Sequence, residues 1–430
     1  MKTKIKILIV SIDPWDDSNS FGSTFSNIFG GNVNYEITNV YCGMGAPQTN
    51  VCKYFFQITE KGIIRSILKK GTSSGREIAA RESAGDFSDS ERMVYDKLRI
   101  LRWTIFFWIR NLIWATKKWK SKDLIKYVED KKIDIVFQPI YYSTYVNEIG
   151  VFFHEKLRVP MVGYISDDDY ACKRYSWSPL FWIDRFITRK YVKRVIDRCQ
   201  VLYTMTNKQK EEYGRIFGPK FRILYKGGSF SKEPVPFSLH SPIRFLYTGN
   251  LTGGRWKTLM LIGKALSTIN KDGLKAQLKI YSKTPLTNIQ LQNLNIGESC
   301  IFCGSIPASE VKETQRDSDV LIHVESFEKK ERYSARLSFS TKIVDYMEAH
   351  RCILAVGWEE TAAIEVLKEN KIAFVITDYN TLESEIARMV SDQEMMFCLA
   401  DRAFDYGKHY HDIDIIRKNL YDDFLTIINN

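Results

Sequence analysis

Short apolar runs rich in β-branched and aromatic residues recur along the chain, separated by stretches of helical length. In the first half these runs fall at residues 5–10, 133–138, 161–165, 201–205 and 221–225. Their alternation with helical segments predicts a parallel sheet. The rhythm restarts at 243–248, 278–281, 301–303, 319–324, 353–356 and 373–377, which predicts a second doubly wound sheet. Between the two series, after Gly227 and Gly228, come Pro234, Pro236 and Pro242, and the interdomain linker is expected there. The last segment, about 382–428, is helical in pattern. The reading is therefore α/β, with an N-terminal Rossmann-like acceptor domain at 1–232, a C-terminal Rossmann-like donor domain at 243–405, and a terminal helix at 406–430 packing back on the first. Ligands of such open sheets bind beyond the carboxyl ends of the strands, so the expected site lies in a cleft between the two.

Composition narrows the class. With 430 residues, 44% of them hydrophobic and 13% aromatic, the chain is long enough for two cores and too apolar for disorder. Its eight cysteines are scattered, several within apolar runs where a thiol behaves as a small hydrophobe, and a reducing compartment fits them. Cys300 and Cys303 have a metal-knuckle spacing but fall in a strand-like run, where positions three apart face opposite ways, so no zinc is expected. No signal-peptide pattern opens the chain, and a cytoplasmic protein is expected. The net charge of +11 suits phosphate-bearing ligands, anionic lipid or nucleic acid without choosing among them.

Two stretches carry chemistry. After the strand at 243–248 come Gly249, Asn250, Gly253 and Gly254, then Arg255 and Lys257 at the start of a helix. Glycines let backbone approach an anion closely, and cations beside a helix N-terminus add charge, so phosphate is the natural occupant. In the second stretch, Ser340 or Thr341 is placed to cap a helix, which sets Lys342 in a first turn that repels cations unless an anion is bound. Asp345, one turn on, is placed to accept from ribose hydroxyls while Lys342 meets a diphosphate.

These stretches, with the loop Gly304-Ser305-Ile306-Pro307, resemble the donor domain of retaining GT-B glycosyltransferases of the polysaccharide-building type. The resemblance implies two Rossmann-like domains and a hexose-transferring enzyme that moves a sugar from a nucleoside diphosphate to a glycan or polyprenyl-linked acceptor. It also implies that Arg255 and Lys342 neutralise the departing diphosphate, that the loop near Ile306 reads the base, and that no metal cofactor is needed. Gly249, Asn250, Lys257, Ser282, Ser340 and Thr341 join the expected donor-binding set. In the first domain the match is looser and rests on Gly22 and Ser23, expected to approach the diphosphate from the opposite wall.

The departures matter as well. The family's pair of glutamates spaced eight apart would need an acid at 337, which is Leu337, and Glu325 after the strand at 319–324 is the expected substitute. Asp167, Asp168 and Asp169 follow the strand at 161–165, where Asp168 is expected to orient or deprotonate an acceptor hydroxyl. The histidines, His323 among them, show no metal-ligand spacing and are read as structural. Two aromatic and basic stretches, 101–120 and 174–198, are expected to touch a membrane surface or to pack their aromatics on the first sheet. The rival readings are a sugar-nucleotide epimerase on the same fold, a basic nucleic-acid-binding protein, although no binding module is recognisable, and an inert scaffold.

Overall fold

The computed structural model describes residues 4–31, 34–69, 71–78, 104–174, 176–230, 233–234 and 238–429. Within them the chain forms two compact units. The first takes in the chain up to Cys172, Ser176–Leu224 and the segment from Arg417 onward, and the second takes in Tyr225–Ile416. The division falls at Leu224 and Tyr225, so Pro234 and Pro242 lie inside the second unit. Residues 231–232 and 235–237 of the expected linker, Pro236 included, lie outside the described residues.

The first unit holds an eight-stranded sheet, β1 (Ile5–Ser11), β2 (Tyr35–Tyr41), β3 (Tyr54–Ile58), β4 (Gly75–Ile78), β5 (Ile135–Pro139), β6 (Met161–Ile165), β7 (Val201–Thr204) and β8 (Phe221–Ile223), in the order 4-3-2-1-5-6-7-8. Seven strands run parallel, and β4 departs from expectation by pairing antiparallel with β3. The core is aromatic: Phe25 and Phe29, on the helix Ser20–Phe29, meet Phe137 edge-on. The C-terminal segment completes it. Arg417 donates to the Asn27 carbonyl, the Tyr203 hydroxyl donates to Asp423 at 2.9 Å, and Phe424 packs beside Phe29 and Phe137.

The two aromatic and basic stretches have different fates. On the helix Thr104–Ala115, Trp114 is fully buried, stacked on Tyr145 and bonded to Glu60, which also holds Arg110 at 2.6 Å. Trp119 is buried too, so these two tryptophans are core residues, whereas Trp108, Ile109 and Leu112 on the same stretch are exposed. Residues 101–103 of that stretch lie outside the described residues. On the helix Pro179–Arg198 the exposed apolar residues are Leu180, Ile183, Phe186 and Ile187, and Trp177 just before it is 87% exposed.

The second unit holds β9 (Ile243–Thr248), β10 (Ala276–Tyr281), β11 (Cys300–Gly304), β12 (Val320–Val324), β13 (Cys352–Val356) and β14 (Phe374–Ile376), all parallel, in the order 11-10-9-12-13-14. Taken from its own first strand, that is the order 3-2-1-4-5-6, with the chain reversing direction across the sheet between β9 and β12. Helices Arg255–Ile269 and Leu382–Ser391 close one face through Leu259, Ile262, Leu266, Ile386 and Met389.

Candidate active site

At a reversal point of this kind open α/β sheets have their ligand crevice, beyond the carboxyl ends of the strands. The β9–β12 ladder pairs Phe245 with Val320 and Leu246 with Leu321, although β9 continues to Thr248 and β12 to Val324. Backbone carbonyls near these ends are satisfied by side chains of the helix Lys342–Glu348. The Lys342 ammonium donates to the Thr248 carbonyl at 2.8 Å, and the Tyr346 hydroxyl donates to the Ile322 carbonyl at 3.2 Å. Lys342 and Tyr346 are four apart, on one helix face, which is why one short helix fills both positions. Gly249 makes room for the ammonium: a Cβ built there would stand 2.0 Å from Lys342 Nζ. The cation also lies 4.9 Å from the centre of the Tyr247 ring.

Arg255 enters from the other side. Gly253 and Gly254 have φ of +65° and +77°, left-handed conformations natural to glycine, and they turn the chain into the helix that Arg255 begins. Its guanidinium donates to Asn250 Oδ1 at 2.8 Å and to both oxygens of Glu325 at 3.1 and 3.0 Å. Glu325 is 7% exposed, and Thr258 fixes its backbone by donating to its carbonyl at 3.0 Å. Arg255 thus bonds the carboxylate directly, while Lys342, from a separate element, acts on it through its charge.

The electrostatics follow from burial. Burial pushes the Glu325 carboxyl above its ordinary value, against the pull of Arg255 and Lys342. Burial, reinforced by Arg255, pulls Lys342 down to about 8, with Glu325 and Asp345 acting the other way. Burial also disfavours the charge on Arg255, but Glu325 outweighs it and the guanidinium stays firmly charged. His323, on β12, is buried and held neutral, its value lowered to about 3 first by burial and then by Lys342 and Arg255.

The remaining expected residues divide. Asp345 accepts from Lys226 with both oxygens, at 2.7 and 2.8 Å, leaving lone pairs for hydroxyl donors. Lys226 was missed because it lies 119 positions away, with no local motif around it. Ser340 and Thr341 precede the helix without a side-chain cap bond, so the expected capping gives way to a backbone turn in which Ile343 N–H donates to the Ser340 carbonyl. Lys257 turns away: it pairs with Glu328 and is 46% exposed, because residues two apart on a helix cannot face one ligand. Ser282 is buried at the end of β10, where it joins Gly304 and Thr284. Ile306 is half-buried in the loop after the edge strand β11. Leu337 is fully buried, so its position is one of packing and not of an acid.

In the first unit, Gly22 is a packing glycine. A Cβ there would stand 2.0 Å from the Asp16 carbonyl oxygen, and its N–H donates to the capping Asn19, with Ser23 next in that helix. Asp168, expected at an open edge, is instead 2% exposed. Its Oδ1 accepts from the Tyr213 hydroxyl at 2.9 Å and from Ala171 N–H at 2.8 Å and faces Arg185 at 3.8 Å, so this one oxygen ties a loop to two helices. Among the described residues no group of three or more His, Cys, Asp or Glu is arranged to hold a metal, and no helix is long and apolar enough to cross a membrane.

Comparison with known proteins agrees with the architecture. Residues 242–392 match the family model described as glycosyl transferases group 1. No curated protein sequence matches the chain. Among solved structures, Anabaena Alr3699/HepE in complex with UDP is 11% identical, with a TM-score of 0.65 over 98% of this chain and 100% of that one. Sucrose-phosphate synthase (tll1590) from Thermosynechococcus elongatus is 12% identical, with a TM-score of 0.65 over 99% and 100%. WaaG, a glycosyltransferase involved in lipopolysaccharide biosynthesis, is 12% identical, with a TM-score of 0.58 over 98% and 99%. The chain therefore has the GT-B fold of two Rossmann-like domains, with the match to the group 1 glycosyltransferase model confined to the second unit.

Proposed function

We propose that the protein transfers a hexose from a nucleoside diphosphate donor to a glycan or lipid-linked acceptor in cell-surface glycan synthesis, with retention at the anomeric carbon and without a metal cofactor. The observation that carries this reading is the convergence of Arg255 and Lys342 on one crevice at the carboxyl ends of β9 and β12. As the bond from the sugar C1 to the diphosphate oxygen breaks, negative charge grows on the departing diphosphate. Two preorganised cations in a partly dry site stabilise that charge more than they stabilise the bound donor. The acceptor oxygen bonds to C1 on the same face, and its proton leaves with the diphosphate. Asp345, steadied by Lys226, accepts from the ribose hydroxyls, and the loop at Ile306 lies against the base. Glu325 accepts from hydroxyls of the transferred sugar. UDP is the first base to try, since the Anabaena structure named above was solved with UDP.

The test is a panel of UDP, GDP and ADP sugars, scored by thermal stabilisation and by release of nucleoside diphosphate. One donor should stabilise the wild type and turn over. Unchanged turnover in Lys342→Ala would end the assignment.

We also propose that the protein works at an anionic membrane surface. The exposed Trp177, Leu180, Ile183, Phe186 and Ile187 support this, because they stand beside the exposed Lys190 and Lys193 on the helix Pro179–Arg198. Vesicles containing phosphatidylglycerol should co-sediment the wild type at low salt, and the Trp177→Ala/Phe186→Ala variant should bind roughly tenfold more weakly. Equal sedimentation of the two proteins would remove this surface from the account.

A further inference from the structure

His323 reads in the sequence as a structural histidine, yet its surroundings are those of a ligand contact. Val320, Ile322 and Val324 point into the core of the second unit, which turns His323 to the opposite face of β12, towards Glu325. The ring is 4% exposed, and its Nε2 makes no hydrogen bond. That nitrogen stands 3.9 Å from Glu325 Oε1, beside Lys342 and Arg255. An unsatisfied buried polar atom is costly, and this one, unlike the unpaired Trp119 nitrogen in the first core, stands against an acid and two cations.

The distance defines what fits. At 3.9 Å the two groups are too far apart for a direct hydrogen bond, yet one oxygen atom can reach both at about 2.8 Å. With the imidazole proton assigned to Nε2, the shared partner must donate a hydrogen bond to the carboxylate and accept one from the imidazole N–H. A hydroxyl does both, whereas a phosphate oxygen would be repelled by Glu325 and is served better by the neighbouring cations. We propose that Nε2 of His323 donates to a hydroxyl of the transferred sugar which in turn donates to Glu325, so that His323 selects the sugar and not the nucleotide. This rests on the nucleotide-sugar reading of the site.

The test compares the sugar nucleotide that the wild type binds most tightly in the panel with its parent nucleoside diphosphate, UDP for a UDP-sugar, using calorimetry and thermal unfolding as a folding control. His323→Phe keeps the ring volume and removes both nitrogens, while His323→Gln keeps an N–H donor. The Phe variant should bind UDP within twofold of wild type and the UDP-sugar roughly fivefold to tenfold more weakly. The Gln variant should recover most of that loss. Deoxy analogues of the same donor should include one that binds the wild type and the Phe variant equally. Equal losses for UDP and UDP-sugar, no loss for either, or a lowered melting temperature with both affinities intact would each overturn the proposal and return His323 to packing. A wild type that binds none of the UDP, GDP and ADP sugars in the panel would instead overturn the nucleotide-sugar reading, and the role of His323 with it.

Discussion

Each unit contains a buried acid just beyond a strand end with an arginine against it, and the two pairs are used differently. Beyond β6, Asp168 accepts from Tyr213 and Ala171, and Arg185 donates to the carbonyls of Asp168 and Ala171. The arginine is as buried as the acid, and the group is internally satisfied. Beyond β12, Glu325 faces Arg255, whose side chain is 26% exposed, along with Lys342 and the unbonded Nε2 of His323. That group holds two cations against one acid and hydrogen-bonding capacity that nothing among the described residues uses. An acid and arginine at a strand end form a lock when every donor finds a partner within the fold, and a site when charge and donors are left over.

The comparison breaks first at Lys342. Lys342→Ala should lower donor turnover at least about 100-fold while leaving the melting temperature near wild type, because the ammonium serves the reaction more than the fold. Asp168→Ala should do the reverse. Removing one partner of a buried charged group costs roughly 3 kcal/mol of stability, read by urea denaturation, while turnover per folded molecule stays within about twofold. If Asp168→Ala instead silenced the folded enzyme, the lock would prove to be part of the site.

Gly249→Ala sharpens the crevice itself. A methyl 2.0 Å from Lys342 Nζ displaces the ammonium, and turnover should fall roughly tenfold. A pH series tests the same group by its charge. Lys342 is pulled down to about 8 from 10.5, so nucleotide affinity should decline above about pH 8, approaching tenfold per pH unit. Stability runs the opposite way. Below about pH 8 the buried ammonium is charged at a cost, and that cost is relieved as pH rises from about 8 towards 10.5, where the unfolded chain still holds the proton. Lys342→Arg should abolish both trends. The smallest effect belongs to Lys257→Ala, which removes an exposed pair with Glu328 and should change stability by less than about 0.5 kcal/mol and turnover hardly at all.

The sequence by itself determined the elements whose signal is local. The apolar runs of β6 and β9 could be read to the residue, and the Gly-rich turn before Arg255 and the helix carrying Lys342 and Asp345 could be placed from spacing. β2, β3 and β4 were not legible. Thr38 and Asn39 break the apolar run of β2, and Arg76 and Glu77 make β4 look like surface, so only pairing with neighbours reveals them as strands. Tertiary structure alone decided that Asp168 closes a lock while Glu325 faces two cations, that Lys257 turns outward, that Lys226 reaches Asp345 from 119 positions away, and that His323 looks into the crevice. Periodicity is written in a dozen neighbouring residues. Burial, desolvation and the count of unpaired donors depend on segments that meet only when the sheet closes.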